Sequence, residues 1–123
     1  MTHKTLDNLI PFFEEKGIEI EKTEKKDLEY PYIKIFGNNF DLSLHSQNIL
    51  GTNQLRIGVL NSYDNRKGNG TKILDILKEY ALQENYDIII ANKTESPQFW
   101  EKNQFTESDL YDGDYSFSLK RNF

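Results

Sequence analysis

The apolar and polar positions of this chain switch repeatedly between a period near 3.6, the mark of a helix face, and a period of 2, the mark of a strand with one wet side. In residues 5–16, Leu6, Leu9, Ile10 and Phe13 mark one helical face, with Thr5 placed to cap the start and Gly17 to stop the helix. Pro11 is tolerated only in a first turn, so regular helix can begin as late as Asn8. Ile18 and Ile20 alternate with Glu19 and Glu21 as a short strand, and residues 22–27 have no apolar face, which reads as a solvated turn or a strand edge. Residues 32–36 and 40–44 flank Gly37-Asn38-Asn39, a hairpin signal, and residues 48–53 read as a loop.

Downstream, Leu55, Ile57 and Val59 alternate toward a core as a strand. Residues 71–83 form the clearest helix, with Ile73, Leu74, Ile76, Leu77, Tyr80 and Ala81 at helical spacing and Lys72, Asp75, Lys78 and Glu79 outside. Ile88-Ile89-Ile90 shows no alternation, the pattern of a central strand buried on both faces. Ser96 and Pro97 suit the N-cap and first position of another helix. Residues 105–110 and 115–119 read as strands joined by Tyr111-Asp112-Gly113-Asp114. The order α-β-β-β-β-α-β-α-β-β over 123 residues without repeats predicts one α+β domain, residues 1–123.

Composition narrows the function. With 15 Lys+Arg against 20 Asp+Glu, the formal charge is −5 and no basic stripe accompanies the aromatics, so a nucleic-acid partner is not expected. The start lacks a basic, apolar leader and no window reaches membrane-spanning length, which predicts a cytoplasmic protein with no membrane partner. Zero cysteines remove disulfides, thiolate ligands and cysteine nucleophiles together. Two distant histidines, His3 and His45, give no metal-ligand spacing, so no metal is expected.

The chemistry-bearing stretch is Asn65-Arg66-Lys67-Gly68-Asn69-Gly70-Thr71, between the strand of Leu55 to Leu60 and the helix that follows. A strand that turns through glycines into a helix offers unpaired N–H groups and the positive end of a dipole, a cradle for an anion such as phosphate. A P-loop needs G-x-x-x-x-G-K-[ST], but Thr71-Lys72 follows Gly70 and no glycine stands five residues before it. A dinucleotide fingerprint needs a third glycine where Ile73 stands. The pattern [QR]-x-x-G-x-[GA] fits with Asn65 as its one substitution. This block resembles the acetyl-CoA signature of the GCN5-related N-acetyltransferases, whose members often read V-x-P-x-Y-R-G-K-G-x-G. A second block, Ser96-Pro97-Gln98-Phe99-Trp100-Glu101-Lys102-Asn103-Gln104-Phe105, resembles that family's A-x-x-F-Y-E-K-x-G-F helix, with Trp100 in place of the Tyr and Gln104 in place of the Gly. The resemblance covers residues 54–120 and fades upstream.

The resemblance implies an α/β three-layer arrangement in which a mixed, mostly antiparallel sheet is flanked by helices. It also implies acetyl-CoA as co-substrate, held at Leu60, Ser62, Asn65, Arg66, Lys67, Gly68, Asn69, Gly70, Thr71 and Asn92. Glycines at 68 and 70 would also suit a tight strand-to-helix corner, but beside the second block the pyrophosphate role is the one the resemblance favours; Asn92 is either a pantetheine contact or a loop cap, and Lys102 either an adenosine-phosphate contact or a solvated helix residue. The implied activity is direct acetyl transfer from the thioester to a small-molecule or peptidyl amine. No catalytic base is identified: family members often use a Glu on the fourth strand, and residues 54–60 contain none. His45, Ser62 and Asp64 are alternatives through water, although a histidine on a strand such as His45 more often has a structural role. The front end is shorter than the family's, leaving the substrate-side wall to be built differently or completed in a homodimer. Asn65 and Trp100 keep a non-catalytic acyl-CoA-binding or protein-interaction module as the alternative, and a nucleotide-binding regulator would require the second block to be coincidence.

Overall fold

The structure, a computed structural model, describes residues 3–27, 29–63, 68–92, 96–107 and 114–119. In chain order these form α1 (Leu9–Glu15), β1 (Ile20–Asp27), β2 (Pro31–Gly37), β3 (Phe40–Ile49), β4 (Thr52–Ser62), α2 (Asn69–Gln83), β5 (Ile88–Ala91), α3 (Pro97–Lys102), β6 (Thr106–Glu107) and β7 (Tyr115–Ser118). The strands make one sheet in the order β1-β2-β3-β4-β5-β7-β6. β1 to β4 form an antiparallel meander, β4 and β5 pair in parallel across α2, and β7 returns antiparallel to both β5 and β6. This is the expected α+β fold, a mixed and mostly antiparallel sheet flanked by helices.

Strand alternation sends Ile33, Ile35, Leu42, Leu44, Leu55, Ile57, Ile89 and Ala91 into one core with Leu9 and Phe13 of α1 and Leu74, Leu77 and Tyr80 of α2, all at most 2% exposed. The Phe12 ring meets Tyr80 edge-on at 5.6 Å, fixing α1 against α2. Each such apolar side chain contributes about 1.5–3 kcal/mol on burial, which is what holds these short elements together. Ile90 faces the opposite side of β5 yet is only 3% exposed, so β5 is the doubly buried strand its sequence announced.

Several expectations need correction. The first helix starts at Leu9 after the N-cap Asn8, and Thr5 lies outside it, because Pro11 forces the first turn to include it. Of the two readings of the charged run, the strand edge is the one found: β1 lies at the sheet's edge, paired with β2 as far as Asp27; backbone pairing needs no apolar face, and charge suits an exposed edge. Residues 48–53 are no open loop. β3 and β4 continue to Ile49 and Thr52 around Leu50 and Gly51, which take φ of 51° and 87°, as a two-residue primed turn requires. The Asn48 side chain supports this turn, donating to Asn53 Oδ1 at 2.9 Å and accepting from the Gly51 N–H at 3.1 Å. In the final hairpin only Thr106–Glu107 and Tyr115–Ser118 are described strands; the expected turn at residues 111–113 lies outside the described residues.

Candidate functional site: a cleft between parting parallel strands

The site begins with one extra residue. Opposite β3, Leu44 pairs with Ile57 but Ser43 pairs with Val59, leaving Gly58 as a β-bulge. A bulge reverses the inside-outside phase of a strand. Val59, expected to point into the core, is therefore 39% exposed, while Leu60 turns back to pack against the core. Only residues Gln54 to Ile57 of β4 pair with β5, opposite Ile88 to Ala91. The Asn92 N–H donates to the Ile57 carbonyl at 3.0 Å, β5 ends at Ala91, and β4 continues to Ser62 paired, among the described residues, with β3 alone. A cleft of about 780 Å³ opens in the gap, walled by β4 from Ile57 to Ser62, by Asn92, and by Phe99 and Trp100 of α3.

The far end of the cleft is the start of α2. Gly68 is the N-cap with φ 67°, a left-handed conformation that favours glycine. The first intrahelical bond there runs from the Lys72 N–H to the Gly68 carbonyl at 3.0 Å. By helix geometry the N–H groups of Asn69, Gly70 and Thr71 have no acceptor within the helix. Beside them lies the Ser62 hydroxyl, whose Oγ is buried with no hydrogen-bond partner among the described residues. A Cβ at Gly70 would stand 3.1 Å from Phe99 Cε1 and 3.5 Å from Ser62 Cβ, so this glycine seats α3 against α2 as well as leaving its backbone approachable.

Of the residues read as cofactor-binding, Leu60, Ser62, Gly68, Gly70, Thr71 and Asn92 line the cleft together. Asn69 does not; its side chain donates to the Tyr63 carbonyl at 2.9 Å. Thr71 Oγ1 is approached by Asn103 Nδ2 at 3.4 Å, tying α2 to the end of α3. Asn65, Arg66 and Lys67, with Asp64, lie outside the described residues. Lys102 reaches the cleft from the last turn of α3. Trp100 is 5% exposed, stacked edge-on with both Phe99 and Phe105 at 5.1 Å, so it packs the helix and forms a cleft wall at once. His45 is not in the lining. It pairs with Arg56 across β3 and β4 and lies 5.0 Å from the Tyr30 ring. Burial first, and the Arg56 charge second, hold its imidazole below the usual 6.5.

Two residues at the site escaped the sequence reading. Tyr63 sits at the mouth of the cleft, its hydroxyl donating to Asp41 and its N–H to the Asn39 carbonyl at 2.7 Å. Arg56 donates to Asn92 Oδ1 at 3.0 Å, to Gln54 Oε1 at 3.1 Å and to Asp114 Oδ2 at 3.5 Å. Its signal was present, since a guanidinium between Leu55 and Ile57 in mid-strand needs partners. Among the described lining residues there is no Asp, Glu or His.

A bulged β4 parting from β5 beside the glycine-led start of α2 gives the chain a fold like that of the GCN5-related N-acetyltransferases. Among solved structures, Tetrahymena GCN5 is similar, with a TM-score of 0.56 over 76% of this chain and 71% of that one at 14% sequence identity, a likeness of fold. No protein-family model matches the chain, and no characterised protein sequence does. No helix among the described residues is long and apolar enough to cross a membrane, and no group of His, Cys, Asp and Glu among them is placed to hold a metal.

Proposed function

We propose that the cleft binds an acyl-CoA, most simply acetyl-CoA, and that the protein is an N-acyltransferase acting on a primary amine of a small molecule or peptide. The observation that carries this reading is the Ser62 Oγ, buried with no hydrogen-bond partner among the described residues, beside the start of a 15-residue helix and at the end of the cleft that opens where β4 runs on beyond β5. A buried hydroxyl without a partner costs about 1–3 kcal/mol, which a ligand oxygen arriving there would relieve. The residues present fit the group. The first-turn N–H groups of α2 and the Ser62 hydroxyl suit the pyrophosphate. The unpaired edge of β4 from Gly58 to Leu60 and the Asn92 side chain suit the amides of the pantetheine arm, and Phe99 and Trp100 give that arm a dry wall.

When bound, the co-substrate supplies an acyl thioester, a carbonyl open to direct attack by an amine. The chain's task is then to bind, orient and exclude water. None of the described lining side chains is a practical proton acceptor at neutral pH, because Tyr63 already donates to Asp41 and the indole of Trp100 is a donor only. That same observation favours, as a second reading, a module that binds acyl-CoA without transferring the acyl group.

Thermal denaturation with acetyl-CoA, CoA and ATP tests the binding claim. A ligand at ~100 times its dissociation constant adds about 2.7 kcal/mol. Stabilisation by the two CoA compounds and not by ATP is expected, and stabilisation by none of them overturns the reading. Thiol release from acetyl-CoA with a panel of amines then separates enzyme from binding module.

A further inference from the structure

Arg56 and Asn92 are 36 residues apart in sequence and meet where β4 and β5 part. Arg56 lies on β4 one residue before the last paired position, with its side chain only 13% exposed. Its guanidinium is held by Gln54 Oε1 and Asp114 Oδ2 and donates through Nη2 to Asn92 Oδ1 at 3.0 Å. Asp114 in turn is 12% exposed in its side chain and comes from the residue before β7, so three strands converge on this one cation.

The chemistry of the pair decides which way the Asn92 carboxamide faces. A carboxamide is ambiguous in general, presenting a carbonyl on one side and an NH₂ on the other. Arg has donors and no acceptor, so the atom turned to it must be Oδ1. The atom left for the cleft, which Asn92 lines, is the donor Nδ2. Turning the amide over would set NH₂ against guanidinium in a half-buried place, exchanging a hydrogen bond for a repulsion.

We propose that Arg56 is a positioning residue that locks the Asn92 carboxamide with its NH₂ toward the cleft, making this point a donor subsite for a carbonyl oxygen of the bound ligand. The inference rests on the acyl-CoA reading and deepens it. It assigns a polarity to the neck of the cleft: a ligand carbonyl is accepted there, and a ligand group that can only donate is refused. Arg56 itself does not touch the ligand.

The test uses the whole chain and the variants Arg56→Lys, Asn92→Ala and the double variant. A lysine keeps a positive charge beside Asp114, but its shorter side chain ends in a single nitrogen and lacks the planar fork that holds Gln54 through Nη1 while Nη2 reaches Asn92 and Asp114. Affinities for CoA and for adenosine 3′,5′-bisphosphate, which lacks the pantetheine arm, are measured by calorimetry. Side-chain NH₂ relaxation of Asn92 is measured by NMR in the ligand-free protein. We expect each single variant to weaken CoA binding about tenfold, the double variant to be no weaker than either, and the bisphosphate to change by less than about twofold. We also expect the Asn92 carboxamide to be rigid in the parent and to reorient about its side-chain torsions in Arg56→Lys. Additive losses, equal losses for both ligands, unchanged CoA affinity, or an Asn92 amide whose motion ignores Arg56 would each overturn the proposal. A parent that binds neither ligand overturns the acyl-CoA reading and this proposal with it. A parent that binds CoA with any of those other outcomes overturns the positioning role alone.

Discussion

Gly58 on β4 passes so close to Ser43 on β3 that a Cβ added to the glycine would stand 2.8 Å from the serine Oγ. This contact sits at the bulge in the β3–β4 ladder, one residue beyond the last pair of β4 with β5, where the cleft wall begins. Gly58→Ala should therefore destabilise the protein by about 1–3 kcal/mol, the usual cost of forcing an extra methyl into a packed place. Ser43→Ala in the same chain removes the clashing oxygen and should restore most of the loss. Urea denaturation of the two single variants and the pair gives the coupling, and additive effects would show that the bulge tolerates a side chain without help from Ser43.

How far the sequence was legible follows from the range of the interactions concerned. The face of α2 could be read because Ile73, Leu74, Leu77 and Tyr80 repeat within the helix's own turns, and the glycine-led start of that helix because Gly68 and Gly70 are neighbours. β1 was ambiguous because its strand state depends on pairing with β2 and not on its own charged side chains. The bulge was missed because Leu55, Ile57 and Val59 keep a perfect alternation, and only the partner strand reveals that Gly58 breaks the phase. The Arg56–Asn92 contact depends on the parallel crossover, which brings distant segments side by side and leaves no local pattern. For the same reason Asn92 read equally well as a ligand contact and as a loop cap.

Two buried tyrosines should respond oppositely to loss of their hydroxyls. Tyr80 is fully buried and its OH has no hydrogen-bond partner among the described residues, whereas the Tyr86 OH shares a hydrogen bond of 2.8 Å with the buried Ser46 Oγ. Burial raises both phenols, Tyr86 to about 12, so each enters as a neutral OH at ordinary pH. Tyr80→Phe removes an unsatisfied group and should stabilise the protein by about 1 kcal/mol. Tyr86→Phe leaves Ser46 unpaired and should cost about 1–3 kcal/mol. Thermal denaturation of the two variants beside the parent checks the signs, and a loss at Tyr80 would mean that its hydroxyl has a partner after all.

His45 should give stability a pH dependence of known direction. Burial and then Arg56 hold its imidazole below 6.5, so the unfolded chain takes up a proton before the folded one does. The folded state is favoured fully above pH 6.5. That contribution is lost as pH falls from there through the lowered folded value. Carboxylates also lose stabilising charge in acid, so the comparison must isolate the histidine. His45→Gln should flatten the decline just below 6.5 and leave the more acidic part unchanged. Denaturant midpoints between neutral and mildly acidic pH, with the imidazole titration followed by NMR, test this; a His45 that titrates above 6.5 would reverse the sign.

Trp100 carries the last prediction, because one side chain serves both packing and the proposed chemistry. It is 5% exposed between Phe99 and Phe105, and it forms part of the cleft wall at the position where the resembling family places a Tyr. An indole N–H can donate a hydrogen bond but cannot give up its proton to a departing thiolate, whereas a phenol can. Trp100→Tyr removes part of a ring from a packed site and should cost about 1–2 kcal/mol of stability. It also offers a phenol to the cleft, so acyl transfer to an amine should proceed at the parent's rate or faster, with CoA affinity changed by less than about threefold. Stopped assays of thiol release, run beside calorimetric CoA binding on both proteins, separate the two effects. A folded variant that binds CoA normally but transfers much more slowly would show that the indole itself shapes the acceptor site. Equal rates in parent and variant would mean that solvent protonates the thiolate in both, and that the residue at 100 is chosen for how it packs α3 onto the sheet.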